Sequence, residues 1–461
     1  MSNLSRGILL STFIALLVVL LPASTAAQKH LTGTLSDGAT YVIDVPATWN
    51  GTLLLYSHGY VSPGASNPAE DVGDSLTGGY LLAAGYAMAG SSYATTGWAV
   101  QWAVPDQIST LQVFESLVGT PKTTIAWGHS LGGMVTAALV QEYPSQFDAA
   151  LPMCGVVGGG VGTWNAGLDT EFAFNTLLAG GSLQVVNITD PTENAEEAAG
   201  ILIAAQNTPQ GQARIALSAA LGDTPGWYDP TSPEPSPTDY TDREANQYEW
   251  FLNVDGIFLF DYRADLEAKA GGNPSFNNGI NYQTQLKKSV DYAEVQALYS
   301  DAGLDLATDL ETLKTASRIT ADQSALTYLS NNVIYNGQIP IPVLTMHTTG
   351  DGLVPVQEEA AYAAVAKDAK DQANLKQIFV HRAGHCEFSP AETITALQAL
   401  VLRLGKGKWK DLTPTDLNNE ATALGSTYNV IEANGGVVAA APAFETYKPA
   451  KFLRTYDAFT K

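Results

Sequence analysis

Thr123-Thr124-Ile125-Ala126-Trp127-Gly128-His129-Ser130-Leu131-Gly132-Gly133 carries the strongest fold signal in the chain. Thr123–Trp127 is a short apolar run of strand length, and Leu131–Glu142 is a stretch of helix length. Between them lies G-x-S-x-G, the pattern of a strand–turn–helix elbow that lifts a serine hydroxyl clear of the backbone. Gly128 and Gly132 have no Cβ, so strand and helix can approach closely. The helix N-terminus points unpaired N–H groups at the place where an oxyanion would form. The bare string is common; its position between a strand and a helix gives it weight. The alternative reading is a structural glycine turn with an idle serine.

The pattern repeats outward from the elbow. Thr52–Tyr56, Tyr86–Gly90, Ala149–Met153 and Pro342–Met346 are further short apolar runs, and Leu375–Val380 reads as the last strand. Leu76–Ala84, Gln107–Leu117, Val356–Ala369 and Ala391–Leu404 are helix-length stretches between or after them. Strands apolar on both faces, alternating with helices, predict a mostly parallel sheet covered by helices on both faces, an α/β fold. Leu31–Leu35 and Thr40–Val45 read as a leading hairpin around Ser36-Asp37-Gly38-Ala39. The alternation breaks once, between about Gly155 and Gln338, where Ala195–Gln206 and Arg214–Leu221 read as helices. That interval is too long for a loop in a compact domain and is expected to be an inserted, mainly helical cap. The expected division is therefore a leader at 1–27, core at 28–154, cap at 155–338, core again at 339–405, and an extension at 406–461. The extension reads as irregular, with no role assigned.

The chain has 461 residues, 45% hydrophobic and 15% charged, enough apolar material for a large core. Lys and Arg number 23 against 46 Asp and Glu, a formal charge of −23. Such a surface repels phosphate backbones and argues against nucleic-acid partners; it suits solubility in an external medium. Arg6 precedes an apolar run from Ile8 to Leu21, followed by Pro22-Ala23-Ser24-Thr25-Ala26-Ala27-Gln28. The run falls short of the roughly 20 residues that span a bilayer and fits a signal peptide cut after Ala26 or Ala27. An uncleaved membrane anchor is the other reading. With no cysteine near the cut, a lipoprotein is excluded, and a secreted, extracellular or periplasmic chain without a stable membrane anchor is expected.

A serine hydroxyl needs a base to take its proton and an acid to orient that base. Six histidines are available. His30 lies near the mature N-terminus, His58 belongs to Ser57-His58-Gly59-Tyr60 and His129 to the elbow itself, and His347 and His381 sit at or beside strand ends where a histidine can simply be packed. His385, in Arg382-Ala383-Gly384-His385-Cys386, follows the last strand in a glycine-loosened loop. Asp351 follows the preceding strand between Gly350 and Gly352. The order Ser130, Asp351, His385 is the one this topology requires. Asp368 and Asp371 are rival acids, but lie on or just after a helix with no glycine turn.

With Gly-His-Ser-Leu-Gly-Gly at residues 128–133, the chain resembles the α/β-hydrolase superfamily, in particular its lipase and esterase branches, over about Leu31–Cys154 and Ile341–Leu404. The resemblance implies that Ser57-His58-Gly59-Tyr60 is the oxyanion loop, with backbone N–H donors from Leu131 and from Tyr60 or Gly59, and His58 a loop-shaping residue. The chain lacks the Gly-Gly-Pro-Gly of proline iminopeptidases and the His-Gly-Gly-Gly of the hormone-sensitive-lipase branch, which favours a general carboxylester hydrolase. Tannase-type and feruloyl esterases tie the histidine loop to the serine with a cysteine after His and one before Ser. Here His129 precedes Ser130, so such a tie would have to join Cys386 to Cys154. The even cysteine count fits one bridge in an oxidising compartment, closing a loop of about 230 residues; two packed thiols are the alternative.

Weaker signals remain. Ser91–Trp98 follows a strand at the sheet's active end, so Tyr93 and Trp98 are candidate pocket residues, with rim packing as the other reading. Asn50-Gly51-Thr52 and Asn187-Ile188-Thr189 match the glycosylation acceptor pattern, from which nothing follows. No calcium-loop spacing occurs, and neither a metal nor a cofactor is expected. Three functions stay open: an ester hydrolase on small-molecule or polymeric substrates through an acyl-enzyme, a peptidase or amidase on the same triad, and an inactive binding protein on the same fold.

Overall fold

The computed structural model describes residues 28–255, 258–433 and 435–460; the expected leader lies outside them. The main sheet is built from β1 (Lys29–Thr34), β2 (Thr40–Val45), β3 (Thr52–Ser57), β4 (Ala87–Ser91), β5 (Thr123–His129), β6 (Ala149–Met153), β7 (Val343–Gly350) and β8 (Leu375–Ala383). A hairpin of β9 (Val430–Ala433) and β10 (Gly436–Ala439) stands apart, and β11 (Phe444–Glu445) rejoins the sheet. The order is β1-β2-β4-β3-β5-β6-β7-β8-β11. From β4 to β8 the neighbours are parallel, while β2 opposes β1 and β4, and β11 opposes β8. This is the α/β-hydrolase fold.

Period-2 alternation divides the sheet's side chains between two cores. On β3, Leu53 and Leu55 join one with α2 (Val100–Leu117) and α3 (Leu131–Glu142). Leu54 and Tyr56 join the other with α1 (Ser75–Ala83) and two late helices. Both faces are dry, which is why the strands read as unbroken apolar runs.

Between β6 and β7 the chain forms α4 (Gly160–Leu177), α5 (Pro191–Gln206), α6 (Pro209–Gly222), α7 (Tyr240–Trp250), α8 (Arg263–Ala270), α9 (Tyr282–Leu286), α10 (Tyr292–Asp301), α11 (Leu306–Thr315) and α12 (Gln323–Asn331). These helices bury apolar clusters of their own, around Leu217 and Leu313 and around Leu168 and Phe260. After β7 come α13 (Gln357–Asp368), α14 (Pro390–Lys406) and α15 (Pro414–Ala423). A capping box starts α14: the Glu392 amide donates to Ser389 Oγ, and the Ser389 amide to Glu392 Oε2, with Pro390 at the first helical position.

Two expectations need correction. The helix before β5 begins at Val100 rather than Gln107 and runs through Pro105, giving up one backbone hydrogen bond early in its course while Val100, Ala103 and Val104 are buried. The segment beyond Lys406 is not irregular: it supplies α15, the hairpin and β11, and its end returns to α4, where Phe452 is buried and Arg454 pairs with Asp169 at 2.6 Å.

Glycines set the approach of β5, α3 and β3. A Cβ on Gly132 would run into the Ser57 carbonyl oxygen and stand 2.5 Å from that of His58; one on Gly128 would lie 2.7 Å from the Gly132 carbonyl oxygen. Backbone atoms cannot swing aside as a side-chain tip can. Gly132→Ala is therefore expected to cost about 3 kcal/mol or more in urea unfolding, whereas Gly79→Ala in α1, where an added Cβ meets nothing within 4 Å, leaves stability unchanged or raised.

Candidate active site

Ser130 sits between β5 and α3 with φ 55° and ψ −123°, a left-handed conformation costly for a residue with a Cβ. Its amide donates to the Met153 carbonyl at 3.0 Å, which anchors the turn to β6. His385 Nε2 lies 2.7 Å from Ser130 Oγ, and His385 Nδ1 lies 2.8 Å from Asp351 Oδ2. Asp351 Oδ1 accepts from the amides of Leu353 and Val354 at 3.1 and 2.9 Å, so the fully buried carboxylate cannot rotate. Burial pulls that carboxyl upward, but the charge of His385 and hydrogen bonds from His347 and His385 outweigh it, and it stays below its ordinary value. The arrangement can remove a proton from Ser130 Oγ and hold the resulting imidazolium.

The other histidines and acids are engaged elsewhere. Asp371 caps the Ile339 amide at 3.0 Å, and Asp368 ends α13. His129 turns onto Tyr56, and His381 lies beside Glu234 and Glu445. His58 donates from Nδ1 to the Gly59 carbonyl at 2.8 Å and stacks on Tyr93 with ring centres 4.0 Å apart. Gly59 lies against Ser130: a Cβ there would be 3.4 Å from Ser130 Cβ. Leu131 is the first residue of α3, so its amide has no acceptor within the helix.

The structure joins Cys154 to Cys386, Cα atoms 5.3 Å apart. Both are left-handed, φ 42° and 59°, so the bridge binds two strained turns, one after β6 and one after His385. Tyr93 does not line the cleft as expected. It is 1% exposed, donating from its hydroxyl to the His58 carbonyl at 3.0 Å, because its own left-handed turn (φ 59°) sends the ring under the loop 57–60. Trp98 does line the cleft, packed edge-on against Trp164.

Two residues have roles the sequence did not show: Gln107, and His347, which reads as simply packed at a strand end. Gln107 donates to the Tyr56 carbonyl and Ser57 Oγ, holding the end of β3. His347 is fully buried beneath the acid: Nε2 meets the Val354 carbonyl at 2.8 Å and Asp351 Oδ2 at 3.5 Å, while Nδ1 meets Glu359 Oε1 at 3.2 Å. A carbonyl oxygen can only accept, and with a carboxylate at the other nitrogen both ring nitrogens carry protons. Burial opposes that charge, but the bonds to Asp351 and Glu359 overcome it and push His347 up to about 10.

Ser130 opens onto a cleft of about 710 Å³, counting its mouth, lined by Tyr60, Trp98, Trp164, Val156, Leu353 and Pro355 among others. Among the described residues no group of His, Cys, Asp and Glu is placed to hold a metal, and no helix is long and apolar enough to cross a membrane.

No family model matches the sequence. The o-phthalyl amidase of Xanthobacter agilis is 30% identical over 424 residues, 85% of this chain and 90% of that protein. The chain belongs to that amidase's family, within the α/β-hydrolase superfamily. It is a serine hydrolase. Similar solved structures include an esterase from Aspergillus oryzae (13% identity, 93% of this chain and 88% of that one, TM-score 0.42), feruloyl esterase B from the same organism (14%, 83% and 81%, 0.39) and an acylaminoacyl peptidase of Pyrococcus horikoshii (10%, 79% and 38%, 0.34).

Two outcomes are expected. A histidine whose folded pKa lies above its unfolded value near 6.5 contributes stability fully present below that value and lost as pH rises towards about 10. The hydrolase should therefore lose melting temperature between pH 7 and 10, and His347→Gln, less stable at pH 7, should show a shallower decline; parallel curves would refute the buried imidazolium. Reduction of Cys154–Cys386 should slow turnover of a small ester by freeing the His385 turn, with two thiols titrating only after reduction.

Proposed function

We propose that the protein is a secreted hydrolase of carboxylic esters that works through an acyl-enzyme on Ser130, with His385 as general base and acid and Asp351 as the orienting acid. The observation that carries this reading is the unbroken chain from Ser130 Oγ through His385 to Asp351 at 2.7 and 2.8 Å. His385 Nε2 takes the Oγ proton as Oγ attacks the carbonyl carbon. The oxyanion forms against the amides of Leu131 and of Gly59 or Tyr60. His385 returns the proton to the leaving oxygen, which departs as alcohol and leaves the acyl group on Ser130. Water, deprotonated by His385, then attacks the acyl carbon, and Ser130 leaves with the proton. Residues 155–338 act in this reading as a cap that excludes water from the intermediate, and 28–154 with 339–405 as the catalytic core. The apolar leader before Gln28, the disulfide and the acidic surface support export. Small-molecule or polymeric esters are the substrates proposed, and neither nucleic acid nor a membrane is a partner.

The amidase relative supports a second reading, in which the scissile bond is an amide. Matched pairs decide between them: p-nitrophenyl butyrate against butyryl p-nitroanilide, on mature protein. Ester turnover with negligible anilide turnover is expected; comparable kcat/KM on both would favour the amidase reading. Ser130→Ala is expected to lower kcat by on the order of 10^4- to 10^6-fold with folding intact, and Asp351→Asn to impair it strongly by favouring the wrong His385 tautomer. A tenth or more of the activity left in Ser130→Ala would overturn the assignment.

A further inference from the structure

Beyond the cleft that holds Ser130 lies a second, smaller apolar chamber, about 440 Å³ counting its mouth, among the helices between β6 and β7. Phe174, Ala198, Leu202, Phe251, Leu252 and Phe260 line it, with no charged side chain among its described lining residues. Thr170 and Leu259 line both spaces, so they form the partition between them. That partition consists of side chains standing in gaps left by glycine. A Cβ on Gly167 would come within 2.6 Å of Leu259 Cδ2, and one on Gly222 would collide with Thr170 Oγ1. Leu259 is only partly buried, so it has room to turn. Such a chamber has the apolar lining of a ligand site, with the Thr170 hydroxyl, on the partition, the one polar side chain among its described lining residues. Whatever enters must be positioned elsewhere, and Ser130 is the reactive group next door.

Which half of the substrate enters follows from His385. It must give its proton to the leaving group, so that group lies on its side, and His385 lines a separate open cleft with Tyr228, Trp250 and Gly384. It does not line the cleft that leads to the chamber. The acyl half therefore points towards Thr170 and Leu259. Along α4, Thr163 lines the Ser130 cleft and Phe174 the far chamber. At 1.5 Å per residue they stand roughly 16 Å apart, which at roughly 1.2 Å per bond is room for an extended chain of ten or more carbons.

We infer that the second chamber is a hydrocarbon-tail site, entered past Leu259, and that the preferred substrates carry a linear apolar acyl group of roughly ten carbons. The inference rests on the acyl-enzyme reading above and adds the substrate class to it. Each methylene transferred from water into such a chamber strengthens binding about fourfold before ordering costs are subtracted.

The test is kcat/KM on p-nitrophenyl acetate, butyrate and decanoate, below the decanoate's critical micelle concentration, with wild type, Leu259→Trp and Ala198→Phe. In wild type the decanoate is expected to exceed the acetate at least tenfold. Each variant, one blocking the partition and the other filling the chamber from α5, is expected to cut the decanoate-to-acetate ratio at least tenfold. A wild-type ratio at or below one overturns the inference, and so does an unchanged ratio in both variants. Failure of the underlying reading looks different: wild type would not hydrolyse the acetate, or Ser130→Ala would still do so.

Discussion

The space between Gly132 and the carbonyl oxygen of Ser57 admits no methyl group, and the site is built on that approach. Because β5 and α3 press against the end of β3, the first turn of α3 faces the loop 57–60, and Ser130 has only a left-handed turn in which to cross from strand to helix. Gly133 continues the crowding on the other side, where a Cβ would lie 2.8 Å from the Met153 carbonyl oxygen. Ser130, Tyr93, Cys154 and Cys386 are all left-handed without being glycine. Each costs of order 1–3 kcal/mol in isolation and persists only where its surroundings over-determine it. At Ser130 the constraint is glycine packing, at Tyr93 the stacked and hydrogen-bonded ring, and at the two cysteines their covalent bond.

A second constraint is electrostatic. Asp351 has its four nearest donors assigned: two amides on Oδ1, His385 on Oδ2, and His347 at longer range. Glu359 balances His347, and its Oε2 also accepts from Thr345 at 2.6 Å. Glu358, next along α13, is pushed up to about 7 by burial, although Thr163 and the Gly158 amide donate to it. A helix end thus presents two buried carboxyls of different character side by side. The one that meets an imidazolium fixes Asp351 from below. The other, held by neutral donors, ties α4 to α13 through Thr163.

The elbow, the strands beside it and the order of Ser130, Asp351 and His385 were legible because each leaves a local mark: an apolar run, a glycine pair, a loop after a strand. What was not legible depends on contacts between residues far apart. β11 is two residues long and has no periodicity to read; it exists because β8 offers an open edge, with the Phe444 amide and carbonyl further held by Asn418. Helix α2 passes Pro105 because burial of its first turns outweighs the lost hydrogen bond. A histidine in an apolar strand looks the same in sequence whether it is packed neutral or held as a cation, and it is Asp351 and Glu359, four and twelve residues on, that distinguish the two for His347.

The helices between β6 and β7 are not uniformly free to vary. Along α4, Glu171 receives a bidentate Arg263, fully buried, and Asp169 receives Arg454 from the far end of the chain, together with Tyr282 and Gln285. Removing one partner of such a pair leaves an uncompensated charge and costs about 3–5 kcal/mol. The wall of the Ser130 cleft that α4 provides is therefore fixed by interactions unrelated to substrate. Leu259, and beyond it Phe251 in the second chamber, differ: they pack within an apolar cluster, which tolerates exchange of one side chain for another of similar volume. Change in what these spaces accept is cheapest at Phe251, Leu252, Leu259 and Phe260 and at Ala198 and Leu202 of α5, since the described residues lining the second chamber include no charged side chain.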